Sequence, residues 1–85
     1  MKSKSILVMR FSSIGDIIQT TSTLSTIKEY LPNYTIDYLT LDHFKSILKN
    51  HKSLNKVYSI SKNAKYSHIS ELILKLQSNK YDYII

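Results

Sequence analysis

Between a short apolar run and a long helical pattern, the chain reads Arg10-Phe11-Ser12-Ser13-Ile14-Gly15-Asp16. It contains a cation, two hydroxyls, the one glycine of the 85 residues, and a carboxylate directly after that glycine. The first N–H groups of a helix have no partner within the helix, and with the helix dipole they favour an anion. Ser12 and Ser13 add hydroxyls that donate to phosphate or sugar oxygens. Gly15 lets a ligand approach the backbone. Arg10 suits a carboxylate or phosphate, or Asp16 itself, or nearby carbonyls of its own strand. Asp16 falls in the first helical turn, and an ionised carboxylate there can withdraw a proton from a hydroxyl nucleophile. The same residues also fit a helix start with no further role, because serines cap, glycine turns and aspartate suits the dipole.

The elements that position this turn follow from periodicity. Residues 5–11 form a near-continuous apolar run, the pattern of a strand buried on both faces of a parallel sheet. From Gly15 the period changes: Ile17, Thr20, Leu24, Ile27 and Leu31 make one stripe of an amphipathic helix, which Pro32-Asn33 stops. Residues 34–40 read as a second strand. Asp42 caps a short helix over residues 43–49. Residues 56–60 alternate as a third strand, and residues 61–67 form a polar loop. Ser67 or Ser70 then caps a helix with Ile69, Leu72, Ile73 and Leu76 on its buried stripe. Residues 81–85 begin a fourth strand. The order β-α-β-α-β-α-β predicts an α/β fold with parallel pairing and helices packed on the sheet. A chain that stops within a strand reads as an N-terminal piece of a longer protein, with an uncovered apolar flank prone to aggregation or molten behaviour.

Twelve basic and six acidic side chains give a net charge of +6. Six lysines (45, 49, 52, 56, 62 and 65) fall in a stretch with no acid. The stretch suits a solvated surface or an anionic partner: nucleic acid, a phosphorylated sugar or an acidic membrane face. There is no cysteine, and no apolar run near the ~20 residues that span a bilayer. The chain reads as cytoplasmic. His43, His51 and His68 are scattered with no metal-ligand spacing, which suits a surface role for each. Five of the seven tyrosines (34, 38, 58, 81 and 83) lie in strands, where half-buried packing accounts for them. The turn is neither a dinucleotide fingerprint, which needs three spaced glycines, nor a phosphate-binding P-loop, which needs a Gly-Lys-Ser/Thr. A small basic α/β module that binds nucleic acid or another polyanion stands as the alternative to an enzyme, although the chain has no helix-turn-helix spacing and no exposed aromatic motif of an RNA-recognition strand.

After an Ile-Leu-Val-Met strand, the run Arg-Phe-Ser-Ser-Ile-Gly-Asp-Ile-Ile-Gln-Thr-Thr resembles the opening of the heptosyltransferase-type glycosyltransferases, glycosyltransferase family nine. Residues 30–40, 54–58 and 80–85 are similar to that family's next passages, so the resemblance covers nearly the whole chain. It implies the first part of the Rossmann-like N-terminal domain of a GT-B enzyme, with residues 1–85 on the acceptor side and the nucleotide-sugar domain outside this chain. It implies Asp16 as the general base on the acceptor hydroxyl, with Ser12, Ser13 and Gly15 lining the cleft; Arg10, at the end of the first strand, falls beside that cleft by its position in the sequence. It further implies an inverting transfer with no metal and no cofactor. The donor would be a nucleotide-activated heptose or related sugar. The acceptor would be the anionic, lipid-linked core of lipopolysaccharide, with peripheral contact at the inner membrane face. The 85 residues alone would be inactive.

Overall fold

A computed structural model describes residues 4–11 and 13–85. Strand β1 (Ser5–Met9) buries Ile6, Leu7 and Val8. Because side chains of a strand alternate, these three anchor both faces of the sheet. Helix α1 (Ile14–Tyr30) follows, and strand β2 (Thr35–Leu41) pairs in parallel with β1, Ser5 opposite Thr35 and Met9 opposite Leu39. A 3-10 turn (Asp42–Phe44) and a single helical turn, α2 (Lys45–Leu48), lead to strand β3 (Lys56–Ile60). Helix α3 (Tyr66–Ser78) returns the chain to strand β4 (Tyr83–Ile84). The fold is α/β, a parallel sheet flanked by helices, as the sequence predicts.

The strand order is β3-β2-β1-β4. The chain steps outward from β1 to β2 to β3, then crosses to the far side of β1. The two outward connections pack on one face: Ile17 and Leu24 of α1 and Leu48 of α2 meet Ile6, Val8, Ile36 and Tyr38. Full burial of Ile17 and Leu24 contributes about 1.5–3 kcal/mol each, which holds α1 to the sheet. The return connection packs on the other face, where Leu72 and Leu76 of α3 meet Leu7 and Leu39. That cover is thinner. A hollow of about 380 Å³ opens there, lined by Met9, Ile73, Leu76 and Ile84 among others, with Ile73 49% and Ile84 62% exposed.

Several boundaries differ from the sequence reading. The first strand ends at Met9, although the Arg10 amide still donates to the Leu39 carbonyl at 3.1 Å. Leu31, expected on the buried stripe of α1, is 41% exposed, because it is already the C-cap. Asp42 caps nothing with its side chain. Helix α3 starts at Tyr66 after Lys65, again with no side-chain cap, so neither Ser67 nor Ser70 begins it. The fourth strand is shorter, yet its pairing runs on: the Asp82 amide donates to the Ser5 carbonyl and the Ile85 amide to the Leu7 carbonyl.

One buried polar cluster ties these pieces together. Asp37 of β2 is 5% exposed, and its carboxylate accepts from the Asn55 side-chain amide at 3.2 Å and the Lys56 backbone amide at 3.1 Å. The Tyr81 hydroxyl donates to its other oxygen. Asn79 donates to the hydroxyls of both Tyr58 and Tyr81. Lys80 takes a left-handed φ of 52°, which turns the chain from α3 so that Tyr81 reaches Asp37.

Candidate functional site

In a parallel sheet whose connections reverse direction, the crevice for a ligand lies beyond the carboxyl ends of the strands at the point of reversal. Here that point is between β1 and β4. The segment leaving β1 is Arg10–Asp16. Its place follows from local rules: the apolar run is exhausted at Met9, polar residues break the strand, and a serine opens a helix.

Ser13 is the N-cap of α1, with extended backbone angles of φ −90° and ψ 168°. Its hydroxyl accepts weakly from the Asp16 amide at 3.5 Å, and its carbonyl accepts from the Ile17 amide at 3.0 Å. The backbone N–H groups of Ile14 and Gly15 have no partner within the helix, as at any helix start. Asp16 sits in the first turn, solvent-exposed, where the dipole favours its charge. Ser12 lies outside the described residues.

Gly15 is part of the helix itself and does not have a positive φ. A Cβ at this position would meet only the Ser13 Oγ, at 4.0 Å. The backbone thus does not require glycine here, and what it provides is open space beside Ser13 and Asp16.

Asp16 and Arg10 line the same shallow, mostly polar hollow of about 300 Å³, together with Gln19, Thr20 and Thr23. They do not form an ion pair with each other. The Arg10 guanidinium instead donates to the Met9 carbonyl at 2.8 Å, the backbone alternative raised by the sequence. A guanidinium has five N–H donors, so most of its capacity remains for a ligand. The structure thus brings together Arg10, Ser13, Gly15 and Asp16 at one end of the sheet.

The sequence does not single out Gln19 and Thr23, and it marks Thr20 only as part of the stripe that faces the sheet. Their spacing from Asp16 (three, four and seven residues) places all four on one helical face, and this was the available signal. Thr20 is fixed from beneath. Its hydroxyl bonds to the Ile17 carbonyl at 2.7 Å and shares a 2.9 Å hydrogen bond with the hydroxyl of Tyr38, which is fully buried. Burial raises the Tyr38 pKa above the ordinary tyrosine value, partly offset by the Thr20 hydrogen bond and the Arg10 charge. Among the described residues, no group of three or more His, Cys, Asp or Glu side chains is placed to hold a metal ion. No helix of the described residues is long and apolar enough to cross a membrane.

Comparison with known proteins gives a consistent result. The chain is 31% identical over 81 residues to lipopolysaccharide heptosyltransferase 1 of Campylobacter coli, covering 94% of this chain and 24% of that relative. It is 33% identical over 76 residues to lipopolysaccharide heptosyltransferase 3 of Escherichia coli K12, covering 84% of this chain and 22% of the relative. A further heptosyltransferase 3 of Escherichia coli is 37% identical over 82 residues, covering 91% and 24%. A crystal structure of a family 9 glycosyl transferase from Veillonella parvula superposes with a TM-score of 0.86 over 99% of this chain and 26% of that one. At 19% identity, that likeness shows the fold alone. No protein-family model matches the chain. Over nearly its whole length, the chain is thus related to the lipopolysaccharide heptosyltransferases, the family its sequence resembles, and it spans about a quarter of the length of those relatives.

Proposed function

We propose that this chain is the acceptor-side part of a heptosyltransferase-type glycosyltransferase of the GT-B architecture, and that the longer enzyme transfers a heptose or related sugar from a nucleotide-sugar donor to the core of lipopolysaccharide. One observation carries the reading. The carboxylate of Asp16 opens onto a polar hollow at the reversal point of a parallel sheet, within the same residues that carry the family likeness.

In this reading the acceptor hydroxyl lies against Asp16. As its oxygen attacks the anomeric carbon of the donor, its proton passes to the Asp16 carboxylate. The bond from the anomeric carbon to the nucleotide diphosphate breaks, and its electron pair leaves with the diphosphate. Attack opposite the leaving group inverts the anomeric centre. Arg10 and the free N–H groups at the start of α1 hold the acidic part of the acceptor. Ser13 and Gly15 line the approach. The donor is held mainly by a second domain outside these 85 residues, so the chain alone is inactive.

The six lysines between residues 45 and 65 are all exposed. They border β3, at the edge of the sheet, and suit contact with the anionic acceptor or the inner membrane face from the cytoplasmic side. The test is transfer of radiolabelled heptose from its nucleotide diphosphate to heptose-deficient lipopolysaccharide by the full-length enzyme. Labelled lipopolysaccharide is the expected product. No transfer, with salt-sensitive binding of random oligonucleotides instead, would favour the basic-module alternative.

A further inference from the structure

Helix α1 carries hydroxyls along much of its length, and most of them are already engaged. Thr20, Thr21, Ser25 and Thr26 each donate to a carbonyl three or four residues back. Thr23 and Gln19 differ: both are in the hollow with Asp16, both are exposed or partly so, and neither has a side-chain hydrogen bond among the described residues. A helix rises 1.5 Å per residue, so Gln19 stands about 4.5 Å and Thr23 about 10 Å along the axis from Asp16. Thr23 is too far to touch a hydroxyl that Asp16 deprotonates. Between them Thr20 is held in one rotamer by Ile17 and by the buried Tyr38, which gives the hollow a rigid floor.

A side-chain amide and a hydroxyl each both donate and accept, which is what neighbouring sugar hydroxyls require. We infer that Gln19 and Thr23 are specificity-determining residues that hydrogen-bond acceptor hydroxyls one and two helical turns from the reacting one, over the floor made by Thr20 and Tyr38. This rests on the reading of Asp16 as the base, and the two separate kinetically. Interactions made equally in the ground and transition states affect KM, whereas loss of the base affects kcat.

The experiment is steady-state transfer by the full-length enzyme carrying Gln19→Ala, Thr23→Val or Asp16→Asn, with acceptor and donor varied separately. Gln19→Ala and Thr23→Val should each raise the acceptor KM roughly 3- to 10-fold, the size of one lost hydrogen bond. Their kcat and donor KM should stay within about twofold. Thr23→Ser, which keeps the hydroxyl, should restore the acceptor KM and so separates recognition from a folding defect. An acceptor lacking the hydroxyl that Gln19 contacts should be insensitive to Gln19→Ala. Unchanged acceptor KM in both variants, or a change confined to the donor KM, overturns the inference while leaving Asp16 as the base. A normal kcat in Asp16→Asn overturns the underlying reading instead.

Discussion

Gly15 and Asp16 are adjacent, yet their roles separate by experiment. Alanine suits a helix better than glycine by up to about 1 kcal/mol, and the space beside Gly15 accepts a methyl group. Gly15→Ala should therefore leave the thermal unfolding midpoint unchanged or raised, while sugar transfer falls if the acceptor or the second domain closes over that space. A raised midpoint with normal transfer would mean nothing approaches Gly15. Thr40 is the reverse case. It is fully buried, and its hydroxyl has no hydrogen-bond partner among the described residues. Thr40→Val removes that unpaired group at nearly constant shape, so denaturant unfolding should show no loss of stability and a gain of up to about 1 kcal/mol. The place of Asp16 in the first turn of α1 was legible in the sequence, because serines after an exhausted apolar run mark a helix start. Gln19 and Thr23 were not, because a polar residue on a helix ordinarily means only solvent. Thr40 shows the same limit from inside the core, since nothing local marks a strand threonine as unpaired.

At the scale of elements, the cluster around Asp37 joins β2, the start of β3 and the α3–β4 connection. Tyr81→Phe removes one donor to a buried carboxylate and should lower stability by about 1–3 kcal/mol, measured by denaturant unfolding. Burial, reinforced by donation to Asp37, raises the Tyr81 pKa well above the ordinary tyrosine value. The proton is therefore held more tightly in the folded state. Its contribution is fully present below about pH 10 and is lost as pH rises further, toward the folded pKa. Absorbance at 295 nm should accordingly show Tyr38 and Tyr81 ionising above the ordinary tyrosine range, with the unfolding midpoint falling only above about pH 10. Strands were well read because alternation and continuous apolar runs are strong signals, and β3 matches residue for residue. Helix starts were read less well. Lys65 begins α3 without a side-chain cap, so tertiary packing of Leu72 and Leu76 fixes that boundary. The Asp37–Tyr81 bond joins residues 44 apart in sequence and leaves no local trace.

Across the whole molecule, the two faces of the sheet are unequally covered. The order β3-β2-β1-β4 could not be read from the sequence of elements alone, since α3 could return the chain to either edge. It places Ile84 and the exposed Ile73 beside an apolar hollow on the thinly covered face. Exposed contiguous apolar surface of this kind drives association. The isolated chain should therefore self-associate in analytical ultracentrifugation and bind the dye ANS, and Ile84→Lys should reduce both. A monomer that binds no dye would contradict the reading of that face. In the polar hollow beside α1, the proposed transfer depends on a single proton acceptor, Asp16. Asp16→Asn keeps the shape of the side chain and the helix start but removes the base. Sugar transfer by the full-length enzyme should then fall roughly 10²- to 10⁴-fold at unchanged acceptor KM; transfer at a near wild-type rate would show that Asp16 is not the base.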